Sequence, residues 1–181
     1  MVNSFKGIAA AAIGLSFTLP GCADAQVRSA PASQRPDDFA GRALAEHNRY
    51  RAAAGVSPLR WDPRLAAAAA AYGRQLAARG QLAHSPRATR PGQSENLWRG
   101  TAGAYSLETM IDHWARERSY FRSGSFPNVS TSGNWLDVSH YTQMIWPTTT
   151  QVGCAVQRSR QWDYLICRYS PKGNIDGRRV P

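Results

Sequence analysis

"HNRYRAAAGVSPLRWDPRLAAAAAAYG", residues 47–73, contains the end of one helix, a connector and the start of the next, each marked by local chemistry. Upstream of it, an Asp in "PDDF" accepts from the free N–H groups of a first helix and favours its positive end. Phe39, Ala43, His47, Tyr50 and Ala54 then recur at steps of four and three, which predicts one buried face. Gly55 ends this helix by tolerating a left-handed conformation. "VSPLRW" reads as an extended connector. Asp62 caps a second helix, Pro63 sits in its first turn where a missing N–H costs nothing, and Gly80 closes it. Six consecutive alanines (66–71) favour the helix and let another layer approach closely.

Further along, a third helix is predicted from about Ser106 to Arg118, with Met110, Ile111, Trp114 and Glu117 on one side. "PGQSENLWRG" reads as a loop followed by a short strand, and "RSGSFPNVSTSGNW" as a long irregular loop. "VGCAVQRSRQWDYLICRYS" holds two alternating apolar runs around the turn-like "RSRQ", so it reads as a β-hairpin. Cys154 and Cys167 lie one on each strand and pair across it as a disulfide; two buried, unpaired thiols are the alternative. Helices early and a hairpin late make the class α+β.

The chain opens with Lys6, an apolar run from Gly7 to Leu19 and the small-residue site Ala23-Asp24-Ala25, the pattern of a secretory signal over residues 1–25. Thirteen residues, most of them apolar, are too few to cross a bilayer core of ~30 Å as a helix, so no transmembrane span is expected. "LPGC" leaves open acylation at Cys22 and retention as a lipoprotein. Residues 26–36 read as a Ser/Ala/Pro/Arg linker, and the location as extracellular or periplasmic. Removing residues 1–25 takes away one cation, Lys6, and one anion, Asp24, so the net charge stays +10. That charge attracts anionic polysaccharides or lipid head groups; a GC-rich genome explains the arginine and alanine bias equally well. The arginines are scattered and no nucleic-acid-binding motif accompanies them, so no nucleic-acid partner is expected.

Glu95 in "SENLW" and His140 in "SHYTQMIW" each place an ionisable group among apolar neighbours, where burial is costly without a partner. With "HNRYRAAAGVSPLRWDPRLAAAAAAYG", "VGCAV" and "CRYSPKGN", these stretches resemble the CAP family: cysteine-rich secretory proteins, antigen 5 and pathogenesis-related 1 proteins, or the SCP domain. The likeness spans about residues 38–175 and is to a single-domain, bacterial-type member; the domain is set at 37–178. Ser94, Val138 and Ser139 depart from the family's usual Gly, Cys and Gly, and no cysteine-rich extension follows. The resemblance implies a three-layer α–β–α sandwich with a small antiparallel sheet, and a cleft lined by His84, Glu95, Glu117 and His140.

In that cleft the resemblance implies His84 and His140 as ligands of Zn²⁺ or another divalent cation, with Glu95 and Glu117 as catalytic bases. The bland alternative is that each acid pairs with a histidine and braces the loops. The expected function is extracellular binding of a lipid, a sterol-like molecule or an anionic cell-envelope ligand by a monomer. A metal-dependent hydrolase or protease is the alternative. Ser139 precedes His140, but chain neighbours rarely aim at one another as nucleophile and base, and no GxSxG is present. The family's apolar groove would draw on Tyr105, Leu107, Met110, Ile111 and Phe121, which as residue types fit a core better. His47, Asn48 and Arg51 read as packing and loop-bracing groups, His113 as solvated, and Trp61, Trp98, Trp135 and Trp146 as core or cleft walls.

Overall fold

The computed structural model describes residues 38–181; the expected signal and linker lie outside them. Helix α1 (Phe39–Ala53) begins where the Asp38 carboxylate accepts from the Gly41 amide, and Gly55 follows it in the left-handed region. Strand β1 is only Arg60–Trp61. Helix α2 (Pro63–Arg79) is capped by Asp62, which accepts from the Arg64 and Leu65 amides, and it ends on left-handed Gly80. Strand β2 (Ser94–Thr101) precedes helix α3 (Leu107–Ala115), which runs into a 3-10 turn at Arg116–Tyr120. The third helix thus stops three residues before the expected Arg118.

The polar stretch that follows is more ordered than its composition suggests. It contains β3 (Gly124–Ser125) and a 3-10 turn at Trp135–Val138 that leads directly into helix α4 (Ser139–Met144). Strands β4 (Gln151–Arg158) and β5 (Trp162–Ser170) form the expected hairpin. Strand β6 (Arg179–Val180) pairs with β3, so the folded unit runs past the expected boundary at residue 178.

The main sheet has the order β1-β4-β5-β2. The β4–β5 and β5–β2 pairs are antiparallel, but β1 joins β4 in parallel, so the expected antiparallel sheet is mixed at one edge. Successive strand residues face opposite layers. Leu97, Tyr164 and Ile166 pack with Ala69, Tyr72 and Leu76 of α2. Trp98, Leu165, Cys167 and Tyr169 face the opposite core with Met110, Ile111, Trp114, Met144 and Ile145 of the other helices. The result is an α–β–α sandwich: α2 on one face, α1, α3 and α4 on the other.

Gly153 allows the first interface. A Cβ there would stand 2.5 Å from the Asp62 carbonyl oxygen and overlap the Ala66 amide, so only glycine lets α2 lie this close to β4. Cys154 and Cys167 are directly opposed in the β4–β5 register and are joined as a disulfide. Closing a loop of this length stabilises the fold by about 3 kcal/mol.

Candidate functional site

The start of β2 organises the site. Glu95 points to the α2 side, where its cross-strand partner is Arg168. Its side chain is fully enclosed and each of its polar partners is a donor. His84 Nδ1–H donates at 3.0 Å, the Ser85 amide at 3.0 Å and the Ser85 hydroxyl at 2.9 Å, while Arg168 Nη2 lies 3.1 Å away. Burial acts to push this carboxyl up, but the bonds from His84 and Ser85 and the Arg168 charge outweigh it, so it lies below its ordinary value. His84 itself stands in the loop after α2 with its side chain 53% exposed. The tethered Nδ1 fixes the ring while Nε2 has no hydrogen-bond partner among the described residues.

A second imidazole–carboxylate pair is built on the opposite face. Helix α4 has no capping side chain of its own. Glu117, in the 3-10 turn after α3, supplies the cap: one oxygen accepts from the His140 and Tyr141 amides at 2.9 and 3.0 Å. Its other oxygen accepts from His140 Nδ1–H at 2.5 Å. The ring is stacked on Trp114, with centroids 6.1 Å apart, and Nε2 again has no hydrogen-bond partner among the described residues.

Asn96 joins the two halves. The residue after Glu95 on β2, it faces the helical layer and donates to the His140 carbonyl at 3.1 Å. The same amide donates to the Tyr169 hydroxyl at 3.2 Å, which lies 2.9 Å from His47 Nε2. Since His47 Nδ1–H donates to the Ala43 carbonyl, Nε2 must be the acceptor of the Tyr169 proton. His47 is thus a buried bracing group, as its motif suggested. Arg51 does the same for loops, donating to the carbonyls of Ser57, Met144, Trp146 and Thr149. Asn48 exchanges two bonds with the Leu59 backbone.

The four expected site residues therefore form two pairs, His84–Glu95 and His140–Glu117. Among the described residues, none of the four belongs to a cluster of three or more possible ligand atoms within 4.8 Å. The cluster that does meet that condition is His47, Cys154 and Cys167. It has no ligand to offer, because the sulfurs are bonded to each other and both His47 nitrogens are engaged.

Other expectations change. His113 is not solvated: it stacks on Trp98, meets Tyr105 edge-on and accepts from Trp98 Nε1–H at 2.7 Å. Burial and the Arg116 charge lower its pKa. Trp135 is not a core residue, with 39% exposure. Leu107, Met110 and Ile111 lie in the core, as their residue types suggested. An open apolar cavity of about 590 Å³ lies elsewhere, between Phe39, Trp61, the Ala66–Ala70 face of α2 and the Cys154–Val156 edge of β4. Its signal in the sequence was the alanine run, whose small side chains leave room. Ser139 Oγ donates to the Leu136 carbonyl, away from its neighbour's imidazole.

An α–β–α sandwich in which outer strand β2 holds one imidazole through Glu95 and the other's backbone through Asn96 is the class of domain seen here. The model of the cysteine-rich secretory protein family, CAP, matches residues 44–169, and the chain belongs to that family. It is 36% identical over 137 residues to pathogenesis-related protein 1C of Nicotiana tabacum, covering 75% of this chain and 76% of that protein. It is 32% identical over 154 residues to a pathogenesis-related protein PR-1 type of Sambucus nigra, covering 84% and 86%. The fold is similar to the crystal structure of NaASP2 with Zn²⁺, at TM-score 0.68 and 22% identity, covering 84% and 89% of the two chains. It is also similar to BmVAL-1, at TM-score 0.66 and 20% identity, covering 84% and 85%. The family is one of secretory proteins. No helix among the described residues is long and apolar enough to cross a membrane.

Proposed function

We propose that this is an extracellular ligand-binding CAP domain of the bacterial type, whose two imidazoles share one cleft and hold a divalent cation. The observation that carries the reading is the repeated arrangement at His84 and His140. In each, Nδ1 is tied to a carboxylate and Nε2 is left open, the way outer carboxylates orient metal-binding histidines. The donor type fits zinc, since imidazoles are its common ligands, but the two rings supply only two of the three or four protein ligands zinc usually takes, so solvent or a bound ligand would complete the shell. The cation would supply a Lewis acid in the cleft. Glu95 and Glu117 orient the two rings, and Glu117 also holds the first turn of α4 in place.

This favours binding over the hydrolase alternative. A general base needs a free lone pair facing the substrate. Glu95 is saturated by His84, Ser85 and Arg168, and Glu117 has both oxygens engaged by His140 and Tyr141, with one acceptor position left on Oε1. Calorimetric titration of the protein with Zn²⁺ tests the proposal. One site is expected, lost in both His84→Ala and His140→Ala and weakened about 10–100-fold in Glu95→Gln and Glu117→Gln. Undiminished affinity in either alanine variant overturns it. Peptidase or esterase activity abolished by chelation and by His140→Ala would instead establish the hydrolase.

A further inference from the structure

We propose that the paired 3-10 turns at Arg116–Tyr120 and Trp135–Val138 form a docking surface for an anionic lipid bilayer. Five large apolar or aromatic residues are exposed among the described residues, and three of them fall on these two turns: Tyr120 at 54%, Trp135 at 39% and Leu136 at 57%. The turns pack against each other. They are also held firmly from beneath. Tyr120 O accepts from the Thr131 amide at 2.8 Å, and Trp135 is seated edge-on against buried Phe126, with centroids 5.3 Å apart. An exposed ring seated as Trp135 is loses little conformational freedom on binding.

Charge selects the partner. Arg116, Arg118 and Arg122 flank Tyr120, are exposed, and take part in no ion pair among the described residues. Two acids stand on these turns, Asp137, which accepts from the Ser132 hydroxyl and the Asn134 amide, and Glu117, which is engaged by His140 and Tyr141, so the three arginines leave an excess of positive charge. Trp, Tyr and Leu bordered by arginine is the composition that sits at the head-group level of a membrane, with apolar groups entering the acyl boundary and guanidinium groups meeting phosphate. The chain's net charge of +10 adds a long-range attraction to the same surface. A protein partner would need complementary shape, whereas a bilayer moulds itself to the turns. Because Glu117 lies in the first turn and His140 follows the second, docking would bring the His140 pair to the lipid interface.

Co-sedimentation of the mature chain with vesicles tests this, using equimolar phosphatidylglycerol and phosphatidylcholine against phosphatidylcholine alone. Binding is expected to the anionic vesicles and not to the neutral ones. Tyr120→Ser with Leu136→Ser is expected to weaken it about tenfold, and Arg118→Glu with Arg122→Glu by at least as much. These exposed substitutions leave the fold intact, checked by an unchanged melting temperature and unchanged Zn²⁺ titration. The latter also separates this surface from the metal reading, which can fail independently. Equal binding to neutral vesicles, or no binding to either, overturns the proposal. So does anionic-vesicle binding that survives Tyr120→Ser with Leu136→Ser, which would make the attraction electrostatic only and leave the patch to a protein.

Discussion

At His47 the surroundings oppose protonation. Burial, set against the Ala43 carbonyl and reinforced by the Arg51 charge, lowers its pKa from 6.5 to about 4. The unfolded chain takes up a proton as pH falls through 6.5 and the folded chain does not, so stability is full above that value and declines between 6.5 and 4. The loss attributable to His47 is on the order of 3 kcal/mol. His113, also lowered, acts in the same direction. Urea unfolding at pH 7 and pH 4.5 should show this decline in the native chain and a much flatter profile in His47→Gln. Parallel profiles would contradict it. Single residues were legible in the sequence where their role was local or repeated. The buried periodicity marked His47, and "HN-x-x-R" marked Arg51 as a brace. His113 was misread because its partners, Trp98 and Tyr105, lie outside its own helix.

Elements follow the same division. Helices α1 and α2 were readable because Asp38, Asp62, Pro63 and Gly80 act within a turn of the ends they define. Helix α4 was not, since six residues carry no periodicity and its cap is Glu117, 23 positions upstream. The disulfide hairpin was visible as two alternating runs with one cysteine each. The short parallel strand β1 was hidden because two residues give no pattern at all. At this scale the close approach of α2 to β4 makes a sharp prediction: Gly153→Ala forces a methyl group into the backbone of α2. It should cost at least about 1–3 kcal/mol in denaturant unfolding. Native-like stability would mean that the helix can lift from the sheet without penalty.

Across the whole molecule, the sandwich serves to bring two loops and two layers to the start of β2. Glu95 faces one layer and Asn96 the other, so a single strand positions His84 from above and His140 from below. The alternation of side chains along a strand thus turns adjacent residues into supports for opposite walls of the proposed cleft. The two imidazoles were legible only through resemblance to the family, because they lie 56 residues apart with no metal-binding spacing between them. What the sequence alone did not reveal is the division of labour in each pair, with Nδ1 held and Nε2 presented. The most direct test is a crystal soaked in zinc and measured across the zinc absorption edge. The account predicts one anomalous peak bonded to Nε2 of both His84 and His140. A peak bound to only one of these rings, or bound elsewhere, would contradict it.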